Sequence, residues 1–271
     1  MKKIDPSQHD QHVDADERPF LEHILELRQR ILKAVLAILL LFFPLYYFLA
    51  NDIYSWVAAP LIANLPTGST MIATEVASPF VTPFKLSMYS ALFLAMPFIL
   101  HQAWAFISPG LYLREKRFAM PLLVSSILLY YLGMLFAYYL VFPIAFKFFA
   151  SVTPAGVTMM TDINKYLDFA IGLFLAFGFA FEIPIATFLI VATGLTTTQQ
   201  LVAKRPYVIV GCFVVGAVLT PPDVISQVML AVPMWALFEL GVLFTRLAGV
   251  SGAPAQDVSP TETSPAHRSP D

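Results

Sequence analysis

The sequence predicts an all-α integral membrane protein of six transmembrane helices, with both termini on the cytoplasmic side. Three observations lead there. Of 271 residues, 58% are hydrophobic and only 13% charged, and the mean hydropathy is +0.72; soluble domains carry roughly 25% charged residues. Six apolar runs are separated by polar, proline- and glycine-marked turns. Threaded through a membrane six times, the chain puts 13 of its 16 lysines and arginines on one side. Basic residues between spans mark the cytoplasmic face.

Residues 1–19 are polar and are expected to form a flexible cytoplasmic arm. Met1-Lys2-Lys3 is followed by acids, with no apolar stretch before residue 31, so no cleavable signal peptide is predicted. From 20 to 246 the chain reads as one membrane domain. Phe20, Leu21, Ile24, Leu25, Ile31 and Leu32 recur at helical spacing, while Glu22, Glu26, Arg30 and Lys33 share another side. This amphipathic helix runs into the first span, 31–50, whose length at about 1.5 Å per residue matches a core roughly 30 Å thick.

Residues 53–65 read as a helix lying in the interface, followed by a turn-rich cap. The second span is expected over 86–107, broken at Pro97, and the third over 120–146. A fourth, 166–193, is long enough to tilt and carries Glu182 beside Pro184. The last two, 207–219 and 228–244, flank the rigid turn Thr220-Pro-Pro-Asp223. At about 20 and 25 Å, both fall short of a bilayer core. The segment 247–271, rich in serine and proline toward its end, is predicted to be a disordered cytoplasmic tail.

The loop 108–119 carries the sharpest surface signal. Pro109-Gly110 marks a turn, and Arg114, Lys116 and Arg117 surround the single acid Glu115. On the opposite side of the membrane only Lys85, Lys147 and Lys165 are basic.

Catalysis finds little support. His101 is the single histidine in a span, reads as interfacial, and has no Gly-x-Ser-x-Gly elbow with it. No phosphate-binding loop ends in Lys-Ser/Thr. One cysteine, Cys212, and five scattered histidines offer no metal spacing. No enzyme, cofactor or metal centre is expected.

Three acids invite functional readings. Glu182 at membrane depth costs roughly 2.5–3.5 kcal/mol on insertion scales. It is a proton-binding carboxylate, a contact for a partner's helix, or an acid satisfied within its own bundle. Glu239 in the last span, near the basic end at Arg246, reads as interfacial. Glu26 has Arg30 four residues on, the spacing of a helical ion pair. Glu26 and Glu115 both lie near the cytoplasmic surface, where paired carboxylates can grip guanidinium groups through fork-shaped hydrogen bonds.

Six stretches together resemble the TatC family, the multispanning receptor subunits of the bacterial twin-arginine protein translocase. They are His-Ile-Leu-Glu-Leu-Arg-Gln-Arg at 23–30, Met-Ile-Ala-Thr-Glu-Val-Ala-Ser-Pro-Phe at 71–80 and Gln-Ala-Trp-Ala-Phe-Ile-Ser-Pro-Gly-Leu at 102–111, then Phe-Gly-Phe-Ala-Phe-Glu-Ile-Pro at 177–184, Lys-Arg-Pro-Tyr at 204–207 and Leu-Thr-Pro-Pro-Asp at 219–223. The resemblance covers about 20–246 and implies a cupped six-helix bundle in the bacterial inner membrane. It implies binding of twin-arginine signal peptides of folded cargo, with Glu26 and Glu115 meeting the arginines and Arg28 and Phe106 shaping the surface. It further implies that Glu182 faces the concave side, and that Thr220 and Gln227 offer polar contacts to a partner helix. Implied partners are the single-span TatA and TatB, membrane lipids and further copies in one complex powered by the proton-motive force; nucleic acid is not among them.

The competing reading is a proton-coupled small-solute transporter using Glu182. Such carriers are commonly built from internal repeats. No self-similarity between 31–146 and 166–244 supports one here.

Overall fold

A computed structural model describes residues 6–63, 71–107, 116–154, 157, 160–219 and 224–248. Helix α1 (Pro6–Pro44) begins inside the segment read as an arm and passes through a π-helical turn, Leu45–Leu49, into α2 (Ala50–Ile62). Then follow α3 (Ser78–Ile107), α4 (Lys116–Phe136), a second π-helical turn (Ala137–Val141) and α5 (Phe142–Ser151). The chain continues as α6 (Ile163–Ala180), α7 (Ile183–Ala192), the short α8 (Thr198–Ala203), α9 (Arg205–Leu219) and α10 (Val224–Leu247). Among the described residues, five stretches are long and apolar enough to cross a membrane: Ile24–Ile62, Ser78–Phe106, Met120–Ser151, Ile163–Ala192 and Gln227–Leu247. Arg205–Leu219 is apolar but shorter.

Packing pairs α1 with α3 and α4 with α6, while α10 packs against both α7 and α9. Small residues set the close approaches, as they do where helices meet in lipid. A Cβ on Gly133 of α4 would stand 2.4 Å from the Phe177 carbonyl oxygen of α6, and one on Gly178 2.6 Å from the Tyr130 ring. On α10, a Cβ at Gly241 would lie 2.1 Å from Thr187 Oγ1 of α7.

Prolines inside the helices account for two long-range hydrogen bonds. Pro60 has no N–H to give the Trp56 carbonyl one turn back. The Tyr138 hydroxyl donates to that oxygen at 2.9 Å, with the Tyr138 ring stacked on Trp56 at 4.3 Å. Pro97 likewise frees the Phe93 carbonyl, and Tyr131 donates to it at 3.1 Å. Helix α3 therefore runs through Pro97 unbroken, contrary to the break expected there. The Tyr166 hydroxyl also reaches α2, donating to the Val57 carbonyl.

The opposite happens at Pro184. The span expected over 166–193 is interrupted at Phe181–Glu182, between α6 and α7. Pro184 occupies the first turn of α7, where its missing N–H does no harm, and the Glu182 amide turns back to the Phe179 carbonyl three residues away.

At the end of the bundle where α3 and α6 begin, polar side chains staple the two helices. A parallel two-residue pairing joins Met71–Ile72 (β1) to Thr161–Asp162 (β2). Asp162 caps α6 by accepting from the Asn164 and Lys165 amides at 2.9 and 3.0 Å. Its other oxygen accepts from the Thr74 hydroxyl at 2.6 Å and the Thr74 amide at 3.0 Å. The Thr74 hydroxyl above all, with these amides, holds the Asp162 carboxyl down at about 2. Asn164 accepts from Thr82 and donates to Ser78 of α3, both at 2.6 Å. Lys85 and Asp168 form an ion pair beside them.

One length expectation is corrected. Of the last two expected spans only α9, at 15 residues or about 22 Å, is short. Helix α10 has 24 residues rather than the 17 expected, because helical pairing continues past Val228 to Val224, and Arg246 in its last turn suits the negative end of the helix dipole. The tail beyond Ala248, the 108–115 stretch and the Thr220–Asp223 turn lie outside the described residues.

Removing the Tyr138 hydroxyl tests whether it holds α2 in place. Tyr138→Phe keeps the stacked ring but leaves the Trp56 carbonyl without its donor, which should cost about 1–2 kcal/mol. Tyr139→Phe, at an exposed neighbour, should cost nothing measurable. Denaturant unfolding in micelles compares them, and equal midpoints would remove this hydroxyl from the account.

Candidate functional site

Glu26 sits on α1 facing the last turns of α3. The Arg30 guanidinium donates through both Nε (3.0 Å) and Nη2 to Glu26 Oε1, realising the helical pair expected from the spacing. The same side chain crosses to α3, where Nη1 donates to Gln102 Oε1 at 3.3 Å and Nη2 to the Ala105 carbonyl at 3.1 Å. Arg30 is thus a clamp as well as a partner. It ties the first span to the end of α3 and fixes where the Glu26 carboxylate stands. Both bonds to Glu26 fall on Oε1 of a side chain 38% exposed.

Beside this clamp lies a cavity of about 230 Å³ between α1 and α3, lined by Leu27, Arg30, Ile31, Ile99, Gln102 and Phe106 among others. Phe106 therefore joins the Glu26 neighbourhood. Arg28, exposed and two residues from Glu26 on the helix, does not line that cavity. Glu115 lies outside the described residues, one position before α4 begins.

A second polar centre is built around Glu182 at the α6–α7 break. Trp104 Nε1 of α3 donates to Ser126 Oγ of α4 at 3.4 Å, and the Ser126 hydroxyl lies near the Glu182 carboxyl. Trp104 and Ser126 are 8% and 1% exposed, so the chain of contacts is buried. Among the described residues, Glu182 Oε1 and the Tyr130 hydroxyl are both buried with no hydrogen-bond partner. An acid in this state has acceptor capacity left inside the bundle.

Gln227 lies near the start of α10, and its Nε2 donates to the Phe213 carbonyl of α9 at 3.0 Å. That amide closes the α9–α10 pair from within. Thr220 lies outside the described residues. Glu239 pairs with Arg205 of α9 at 2.5 Å, a contact the sequence reading of an acid near Arg246 did not anticipate. Sequence inspection also passed over Trp104 and Ser126. The one available signal was polar side chains inside apolar runs, which does not say where they meet. Among the described residues no group of histidine, cysteine or acids is arranged to hold a metal.

Comparison with known proteins shows what the whole chain is similar to. A family model described as "Sec-independent protein translocase protein (TatC)" matches residues 22–233. A TatC from Azotobacter chroococcum is 60% identical over 250 residues, 92% of this chain and 98% of the relative. The Escherichia coli K12 TatC is 56% identical, covering 85% of this chain and 89% of its own. A crystal structure of a twin arginine translocase receptor, TatC, superposes with a TM-score of 0.76 at 38% identity, covering 84% of this chain and 99% of that one. By the family model, these relatives and this superposition, the chain belongs to the TatC family of Sec-independent protein translocase proteins.

Proposed function

We propose that this chain binds the twin-arginine signal peptides of folded cargo at Glu26 and Glu115 and organises single-span TatA and TatB partners for export across the bacterial inner membrane. The observation that carries the reading is the Arg30 clamp. It holds Glu26 at the α1–α3 junction, where Phe106 lines the adjoining cavity nine residues before Glu115 in the sequence. Two carboxylates at a membrane surface suit a pair of guanidinium groups, each a planar fork of donors. Arg28, exposed on the same helix, contributes to the rim. Transport is driven by the proton-motive force, and several copies act in one complex.

In this reading α9 is the fifth of six spans, both termini are cytoplasmic, and the shortness of α9 thins the bilayer beside the transport path. The bias of basic residues supports the orientation. In a Cys212→Ala background, Asn64→Cys should react with an impermeant thiol reagent from outside and Tyr112→Cys should not. The reverse pattern would invert the topology.

Signal binding is tested in two arms. Glu26→Ala and Glu115→Ala should each weaken binding of an arginine-pair peptide by roughly tenfold, the equivalent of about 1.4 kcal/mol. A peptide with both arginines changed to lysine keeps its charge but loses the fork, and should bind wild-type protein weakly. Titration of labelled peptides reads both. Normal binding by both variants, or equal affinity for the lysine peptide, would refute the site.

Glu182, with Thr220 and Gln227, is assigned to the partner helices. The free acceptor at Glu182 Oε1 supports this. Glu182→Ala should keep signal-peptide crosslinks yet lose most of the copurifying single-span partner. Loss of the crosslinks with the partner retained would reverse these roles.

A further inference from the structure

Where α9 begins and α10 ends, the bundle carries a cavity of about 370 Å³. Arg205, Glu239 and Arg246 form its polar end, and Trp235, Leu240 and Leu243 its apolar wall. Arg205 gives one N–H, Nη2, to Glu239 Oε2, out of the five a guanidinium owns. Arg246 is exposed and, among the described residues, has no ion-pair partner. Two arginines against one carboxylate leave the polar end with an excess positive charge, and Lys204 precedes Arg205 in the sequence.

The cavity is also graded along the helix. Trp235 lies 11 positions before Arg246 on α10, about 16 Å nearer the membrane middle. Leu240 and Leu243, each nearly half exposed, lie between them. Cations at the helix ends, apolar side chains deeper and a tryptophan on the wall form the template of an amphiphile. A soluble anion has no use for the deeper half, and a neutral headgroup none for the unpaired charge.

We infer that this cavity binds one anionic phospholipid, its phosphodiester held between Arg205 and Arg246 and an acyl chain lying along Leu243, Leu240 and Trp235. The phosphate's single negative charge answers the excess guanidinium, and its non-bridging oxygens accept from two forks at once. Glu239 limits the strength of this site, because it competes with the phosphate for Arg205. Basic pockets between helices at a membrane surface recognise lipid headgroups in this way.

The test is a titration of the full-length, micelle-purified chain, with bound lipid counted by native mass spectrometry. Phosphatidylglycerol should bind saturably at one site, and phosphatidylcholine should not. Arg246→Gln should weaken phosphatidylglycerol binding on the order of five- to tenfold, the effect of one basic residue at a membrane surface. Glu239→Gln should strengthen it, a change that loss of a merely structural ion pair would not produce. Glycerol phosphate, which has the headgroup chemistry without the chains, should fail to compete. Equal binding of the two lipids, no change in Arg246→Gln, weaker binding in Glu239→Gln, or full competition by glycerol phosphate would each overturn the assignment. So would an acidic single-span peptide that binds through Arg246 and is not displaced by the lipid.

Discussion

The interaction on which the rest of the bundle depends is the rescue of backbone carbonyls that prolines leave without donors. In hydrocarbon no water is available to satisfy such an oxygen, so protein must supply the donor. Pro60 and Pro97 each free one carbonyl, and Tyr138 and Tyr131, seven residues apart on one continuous helical segment, supply both hydroxyls. One face of that segment thereby anchors α2 and the middle of α3 together. Its other contacts, through Gly133 and the Tyr130 ring, draw α6 close enough that no Cβ fits at the crossing. With α3 held from its middle, its final turns are placed beside α1, and Arg30 can span the gap to Gln102 and Ala105.

The two ends of the bundle are built on different chemistry. Where α3 and α6 begin, Asp162, Asn164, Thr74, Ser78 and Thr82 are joined in one hydrogen-bond network. Such a network rigidifies the junction it spans. At the other end, where α3 and α10 finish and α9 starts, charge is only partly paired. Glu26 shares Arg30 with α3, Arg205 gives Glu239 a single N–H, and Arg246 stands without an ion-pair partner among the described residues. The first end is joined by a hydrogen-bond network, and the second leaves part of its charge unpaired among the described residues.

Glu182 belongs to neither end. Its position follows from Pro184, which begins α7 and breaks the run from α6, placing the acid at the N-terminal end of a helix where the dipole favours negative charge. Ser126, itself bonded to Trp104, approaches it from α4, and one oxygen remains unpartnered among the described residues. A helix break, a dipole and one hydroxyl together make an intramembrane acid tolerable without fully satisfying it.

Local chemistry in the sequence determined the helical class, the positions of the apolar runs and the Glu26–Arg30 pair. Each depends on residues within a turn or a span of one another, and hydropathy, spacing and charge report such neighbours directly. The six stretches shared with the TatC family also lay open to inspection. The tertiary structure alone decided which prolines bend the chain and which do not. Pro97 is carried through because a tyrosine 34 residues later feeds its freed carbonyl, whereas Pro184 starts a new helix. It alone decided that Arg30 clamps α3, that Gln227 turns to Phe213 and that Glu239 finds Arg205. Those partners are far apart in the chain, and nothing in a local pattern specifies which distant donor will meet a given acceptor until the helices have packed.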